Sequence, residues 1–455
     1  MLRIDNCSQQ QPSLWETVLP PEIFQMNEEL TKVDTLLDDE RFFIPFKEGF
    51  NVRMGRPTTA VATYLRLMYL KYRYGLGYEV LVKEVSDSLA WRRFCHLSLD
   101  DRVPDSTTLI KLTHKYGADT VSSLNDTLVL KLKESKVIRG RKLRIDTTVV
   151  ESDIHHPTDT GLLNDGIRVI TRVVSQLKNV VPGIGGRFVK HTKKAKKVYL
   201  GLMKVMKSRA GKDKAALKDA QKKLVKIMGE VIAGGRQVQT ELESLQETSP
   251  LVNRMRGQMD EWIKSAEKVV RQTQEVIKGN RHLSRRLVSL FDTDARPIKR
   301  GKARADTEFG RKVLLGETDH GIITVYDVLD ENPSDTTLLK PAVKGHRRLF
   351  RKRLKAVAAD RGFSSQANED WLKHTGVKRV SIPKRGKVGE ERRRHQKQSW
   401  FKRLQRFRAG IEGRISLLKR KFGLRRSRMR GSAGTKTWVG QSIFTQNLWQ
   451  AARIG

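Results

Sequence analysis

Cysteine is almost missing from this chain. Its 455 residues include two, Cys7 and Cys95. Two thiols cannot build a disulfide framework or a cysteine metal site, and they fit a reducing cytosol. Long apolar runs are missing too. No stretch approaches the roughly eighteen apolar residues of a membrane span. The start, Met1-Leu-Arg-Ile-Asp-Asn, lacks the charged-then-apolar pattern of a signal peptide. Acids are scarce beside bases, 50 Asp and Glu against 90 Lys and Arg, for a net charge of +40. Self-repulsion on that scale calls for a polyanion to neutralise it. DNA or RNA is the natural candidate, because Lys and Arg bind phosphate largely without regard to sequence. Ribosomal and chromatin proteins share such charge but are usually short and poor in apolar residues. Here 38% of residues are hydrophobic and seven are Trp, enough for a sizeable core. The composition predicts a cytoplasmic, nucleoid-associated protein with a nucleic-acid partner and no membrane partner.

The length predicts two or three units. Residues 1–135 read as a helical N-terminal domain. Ala60-Val-Ala-Thr-Tyr-Leu-Arg-Leu-Met-Tyr-Leu repeats apolar residues at helical spacing and stops at Gly75-Leu-Gly77. A second helix fits Tyr78 to Leu89, and Asp105-Ser-Thr-Thr108 offers caps for a third. Short helices with polar turns suit a helix-turn-helix-like DNA-binding module, or equally a helical support without DNA contact. Residues 136–165 hold a first strand, Arg141-Lys-Leu-Arg-Ile-Asp-Thr-Thr-Val-Val150, then a polar loop. Residues 166–290 read as a basic helical insertion, whose helices could clamp DNA or a second protomer. Residues 291–430 return to alternating strands and helices. Strands are expected at Lys312–Thr318, Gly321–Val328, Leu354–Asp360 and Val377–Ile382. Helices are expected from Pro333 to Phe350, Gln366 to His374 and Trp400 to Lys421. Residues 431–455 form a tail with an amphipathic helix near Thr437–Ala452.

Without the insertion, this element order is that of an RNase H-like α/β fold, a mixed sheet arranged 3-2-1-4-5. The insertion falls between the first and second strands. In that arrangement the first and fourth strands are neighbours. Asp146 sits in the first and Asp360 ends the fourth, so both carboxylates can reach a pair of divalent ions. The last core helix can add Glu412. Phosphodiester chemistry wants such acids, since two Mg²⁺ ions activate the attacking oxygen and stabilise the leaving one. Magnesium takes hard oxygen ligands and keeps several waters, so a few carboxylates suffice. On its helix Glu412 shares a face with Arg408 and Lys419. Alone, that pattern is also an ordinary surface helix with salt bridges. Asp146 alone is equally an acid paired with an arginine.

These residues resemble a family. Arg408, Glu412 and Lys419 fill the pattern Arg-x-x-x-Glu-x-x-x-x-x-x-Lys of bacterial insertion-sequence transposases of the DDE type. Leu143-Arg-Ile-Asp146-Thr-Thr-Val-Val-Glu151, Asn332-Pro-Ser-Asp335 and Ala359-Asp360-Arg-Gly-Phe363 are similar in type and order. Residues 15–120 resemble the helical domain that precedes the catalytic core. The longer family signature has a Tyr three residues before the Arg, and Gln405 stands there instead. The resemblance implies a metal-binding catalytic triad of Asp146, Asp360 and Glu412, with two Mg²⁺ ions and Mn²⁺ as a substitute. It implies that Arg408 and Lys419 contact transposon-end DNA, and Arg414 is expected with them. It implies hydrolysis at the element end, attack of the freed 3′-hydroxyl on target DNA, and a homodimer or higher oligomer to join two ends.

The tail from Lys419 to Arg430, including Lys421, Arg425 and Arg426, reads as a phosphate-binding strip. Glu151 and Asp153 read as surface or supporting acids. Asp292 and Asp294 read as a turn. His155 and His156 lack a third ligand at metal spacing. Pro182-Gly-Ile-Gly-Gly186 follows no strand and reads as a turn rather than a phosphate loop. Trp371, Trp400 and Trp438 read as core. Two other functions fit the same residues: a nuclease of this fold without strand transfer, and a non-catalytic basic DNA-binding protein.

Overall fold

The first helices follow from cap chemistry. A computed structural model of the chain describes residues 2–4, 18–47, 58–207, 214–245, 249–280, 283–302 and 305–454. Cys7 lies outside the described residues. Helix α1 (Glu28–Leu37) begins where Asn27 accepts the Leu30 amide at 2.9 Å. Helix α2 (Val61–Tyr74) carries the expected apolar repeat and ends at Gly75, whose left-handed φ of 70° closes it. The single helix expected from Tyr78 to Leu89 is two, α3 (Tyr78–Asp87) and α4 (Leu89–Phe94). Ser88 accepts the Trp91 amide and so starts a new helix. Helix α5 (Ser106–Glu134) starts under the Asp105 cap.

Strand β1 (Lys142–Ser152) is followed by a unit of its own, residues 154–309. Four helices fill it: α6 (Asp159–Val180), α7 (Thr192–Lys207), α8 (Lys214–Glu243) and α9 (Pro250–Lys278). Their apolar stripes meet around Leu163, Ile167, Ile170, Leu224, Met259 and Ile263. Strand β2 (Arg296–Lys302) closes this stretch and was not expected. Its sequence, Arg-Pro-Ile-Lys-Arg-Gly-Lys, has one β-branched residue and no alternation.

The other unit joins residues 1–153 to 310–455. It contains most of β3 (Ala305–Glu317), then β4 (Ile323–Leu329), α10 (Asp335–Phe350), β5 (Ala356–Ala359), α11 (Gln366–His374), β6 (Arg379–Ser381), α12 (Glu390–Lys397), α13 (Ser399–Lys421), β7 (Arg426–Ser427) and α14 (Gly431–Ile454). The sheet is mixed and has seven strands. Strand β3 pairs antiparallel with both β1 and β4, while β5 pairs parallel with both β1 and β6. Side chains alternate across a strand, and β1 uses both faces. Leu143 and Ile145 join Val357 and Ala359 under Leu338, Leu339, Ala342 and Val343 of α10. Arg144 and Asp146 point to the opposite face, where Leu404 of α13 covers Ala356 and Ala358.

Helix α14 was expected to be amphipathic but is buried on nearly every side. It packs against α1, α2, α5 and β4. Asn447 shows why polar residues are tolerated there. Its amide donates to the Asn125 side chain at 2.7 Å and to the Ile323 carbonyl at 2.8 Å, and it accepts the Ile323 amide at 2.9 Å. The edge strand β4 is thereby satisfied by a helix. The N-terminal helices share one apolar core with α14 and the sheet, instead of forming a core of their own.

Lys71 of α2 is buried and faces the rings of Tyr72, Tyr78 and Trp438 at 4.4–4.7 Å. Burial pushes its pKa down from 10.5 to about 7, helped by the nearby Arg428 charge. The folded value lies below the unfolded one, so between them the unfolded chain binds more protons and stability rises with pH. Urea unfolding should show the wild type gaining about 1 kcal/mol per pH unit over Lys71→Met between about pH 7.5 and 9. Parallel stability curves for the two proteins would contradict this.

Candidate active site

The site is built on a buried carboxylate. Glu317 is wholly buried, and its register partner across β1 is Arg144. Arg144 donates through Nε to Oε2 at 2.9 Å and through Nη2 to Oε1 at 2.5 Å. Arg414 of α13 donates to the same Oε1 at 3.3 Å. Arg144 also donates to the Phe407 carbonyl at 2.6 Å and lies over the Phe407 ring at 4.7 Å. A Cβ on Gly410 would collide with the Arg144 guanidinium, so this close approach of helix to strand needs glycine. Two arginines around one acid fasten α13 across β1 and β3. Arg414, expected on the DNA side, is therefore corrected to an inward role. Its side chain is 14% exposed and already paired.

Two residues beyond Arg144 comes Asp146. In the parallel pair Ile145 lies beside Ala359, so the next residues, Asp146 and Asp360, leave the two strands at one level. Asp146 Oδ1 accepts the Thr147 amide at 2.7 Å. Asp360 Oδ1 accepts the Gly362 amide at 2.6 Å, capping the turn Arg361–Phe363. Glu412 stands on α13 with its side chain 62% exposed. Arg408 links two of the acids. Its Nη1 donates to Glu412 Oε1 at 2.7 Å and its Nη2 to Asp146 Oδ2 at 3.3 Å. The i, i+4 salt bridge of an ordinary surface helix is present, but the same guanidinium also reaches the strand. Asp360 is not part of that bridge.

A fourth acid escaped the sequence reading. Asp335 begins α10, where Oδ1 accepts from Thr147 Oγ1 at 3.2 Å and meets Lys312 Nζ at 2.7 Å. A Cβ on Gly362 would lie 2.6 Å from Asp360 Oδ1 and 2.8 Å from Asp335 Oδ2, so both carboxylates line one small space. The segment Asn332-Pro-Ser-Asp335 carried the signal, but nothing in its spacing gave the acid a role. Gln405 also has a place. Its amide donates to the Ser381 carbonyl at 2.8 Å, to Ser381 Oγ at 2.9 Å and to the Ala359 carbonyl at 3.4 Å. It ties α13 to the ends of β5 and β6.

The donor set of Asp146, Asp360 and Glu412 is all carboxylate, which suits a hard divalent cation. Their oxygens do not all lie within 4.8 Å of one another. Among the described residues, Asp34, Asp38 and His96 meet that limit. Arg66 is wholly buried beside them, 2.6 Å from Asp34 and 2.5 Å from Asp38, so that cluster is already neutralised and fastens α1 to α2.

The remaining expected residues separate. Lys421 and Arg425 are exposed and Lys419 is half-buried. Arg426 pairs with Glu151 at 3.1 Å and Asp153 at 3.7 Å, beside the short pairing of β7 with β1. Glu151 and Asp153 thus hold the edge of the sheet. Asp292 accepts the Ala295 amide in a turn. His156 packs against Phe309, and the Pro182–Gly186 segment is a turn whose Gly185 amide donates to Glu241. Trp438 is buried, while Trp371 and Trp400 are partly buried against apolar clusters.

Residues 285–448 match the family described as Transposase DDE domain, and residues 21–115 match Transposase domain (DUF772). The chain belongs to the insertion-sequence transposases of the DDE type. The DDE match covers Asp360 and Glu412, and Asp146 lies before it. A curated relative from Rhizobium meliloti, named uncharacterized protein ORF8 in nfe locus, is 27% identical over 129 residues. That alignment covers 27% of this chain and 62% of the relative, so the chain spans less than two thirds of that protein's length. No solved structure matches significantly.

In this transposase, removing the Glu317 charge would leave two buried guanidiniums without their anion. Breaking a buried ion pair typically costs about 3–5 kcal/mol. Glu317→Gln should lower stability by that order in chemical denaturation, and an unchanged midpoint would refute the anchoring role.

Proposed function

We propose that this chain catalyses metal-dependent cleavage at the ends of a mobile element and transfer of the freed 3′-hydroxyl into target DNA. The proposed framework is an RNase H-like core with the strand order 3-2-1-4-5. Pairings that run β4-β3-β1-β5-β6 support it, because β1, β3, β4, β5 and β6 taken in chain order give that arrangement. The observation that carries the function is the level placement of Asp146 and Asp360 on adjacent parallel strands, with Arg408 linking Asp146 to Glu412.

Asp146, Asp360 and Glu412 would hold two Mg²⁺ ions, with Mn²⁺ as a substitute. Bound there, such ions polarise the phosphate and supply the nucleophilic oxygen at neutral pH. The chain's own residues do the positioning. Arg408 lies among the acids and is the cation best placed for a phosphate entering the site. Lys419, Lys421 and Arg425 extend the positive edge along the end of α13 and the segment after it. Phosphoryl transfer of this kind depends mostly on such positioning and charge neutralisation. The helical N-terminal region, which carries the second family match, is proposed to bind DNA. Joining two ends requires at least two protomers, so a homodimer or larger assembly is proposed, at work on the nucleoid. No helix among the described residues is long and apolar enough to cross a membrane.

Asp146→Asn, Asp360→Asn and Glu412→Gln should each abolish Mg²⁺-dependent cleavage of a plasmid carrying the element's own ends. DNA binding should stay within about threefold, since these acids touch metal rather than phosphate. Cleavage by the Asp360→Asn protein at the wild-type rate would defeat the reading. Cleavage by wild type without joined products would leave a nuclease.

A further inference from the structure

The charge of the 154–309 unit is unevenly placed. From Lys190 to Lys226 the sequence has fourteen Lys and Arg and two acids, Asp213 and Asp219. From Ile227 to Asn280, in the same unit, it has seven bases and eight acids. The second stretch is internally balanced, with pairs such as Arg236–Glu267, Lys264–Asp260 and Lys278–Glu275. In the first stretch, among the described residues, the Lys and Arg ion pairs reduce to one, Lys223 with Asp219.

These lysines stand on two packed helices. Helix α7 turns Ala195 and Leu202 inward, and α8 turns Leu224, Ile227 and Met228 inward. Lys193, Lys197, Lys218 and Lys222 are exposed on the outside. Along α8, Lys214, Lys218, Lys222 and Lys226 recur at every fourth residue, so each is a helical neighbour of the next. Like charges at that spacing destabilise a helix by a few tenths of a kcal/mol per pair. Nothing within the helix offsets them, and an external anion would.

We propose that the α7–α8 face is a sequence-independent grip for the phosphate backbone of double-stranded DNA. This rests on the reading that the protein works on DNA. The chemistry favours a duplex backbone over other polyanions. The described cations of this stretch are all lysine, which meets phosphate as a point charge. Base reading relies on arginine, asparagine or glutamine, and the Gln221 side chain here is buried. Single-strand binding relies on exposed aromatic platforms, and Tyr199, the aromatic residue of these helices, is half-buried. The face therefore holds DNA outside any recognised end sequence.

The test uses the full chain without divalent metal and a duplex of arbitrary sequence, about 30 base pairs long, followed by fluorescence anisotropy across a salt series. Combining Lys193→Gln, Lys197→Gln, Lys218→Gln and Lys222→Gln should weaken binding at least tenfold at low salt. It should also flatten the plot of log K against log salt by about 3, from roughly 0.9 per phosphate contact. The four matching Lys→Arg changes should keep the wild-type slope, and circular dichroism should show both proteins folded. A wild-type slope in the glutamine protein, or equal binding of single-stranded DNA, overturns the proposal. Because no metal is present, this result is independent of catalysis. A protein that grips duplex DNA through these lysines but never cleaves would overturn the transposase reading and leave the grip standing.

Discussion

Glu317 is the residue on which the site's geometry depends. A lone carboxylate with no exposure to water would be expensive to keep ionised. Here two guanidiniums flank it, one from the neighbouring strand and one from α13. Planar forks fix direction as well as distance, so the pairing sets how α13 lies on the sheet. Arg144 is two residues from Asp146, and Arg414 is two residues from Glu412. Each acid of the site is thus a short, stiff step from the same buried anchor. The strand acid and the helix acid are distant in sequence, and this ion cluster is what relates them.

Much of this was legible in the sequence, and the reasons differ by element. The strands around Asp146 and Asp360 were readable because β-branched and small apolar residues end in a polar break. The acids could be paired on paper because the order of strands makes their neighbours predictable. Arg414 was misread because spacing along a helix gives its angular position but not which side meets the sheet. Glu317 was invisible for the opposite reason. At the end of a strand, before Thr318-Asp-His, it looks like any solvated acid. Only its register opposite Arg144 buries it. Helix α14 was read as amphipathic because its Thr, Gln and Asn residues look like a wet face. They satisfy one another and the edge of β4 instead.

The large positive charge divides by side-chain type. Arginines do the inward work. Arg66 and Arg311 are fully buried, Arg92 donates to three carbonyls of the Ser98–Asp101 turn, and Arg144 and Arg414 clasp Glu317. Lysines dominate the outer face of α7 and α8. The division follows from hydration: a guanidinium leaves water at lower cost and can satisfy several acceptors in one plane, whereas an ammonium stays strongly hydrated. Lys71 is the exception, and burial depresses its pKa as that reasoning requires. Net charge alone therefore overstates how much of this protein faces DNA, because part of it is consumed inside the fold.

Gln405 brings the two themes together. It stands where the family pattern has tyrosine, on the face of α13 that meets the sheet rather than among the acids. Its amide has two donor hydrogens and reaches the carbonyls that end β5 and β6. A tyrosine hydroxyl has one donor hydrogen and a rigid ring behind it. The glutamine therefore performs a docking task that the phenol could share only in part. The acid that depends on this docking is Asp360, which follows Ala359 directly. Glu317 holds the middle of α13 to β1 and β3, and Gln405 holds its first half to β5 and β6. With two such points fixed, the helix has little freedom to rotate, and Glu412 is confined to the edge where Asp146 and Asp360 emerge.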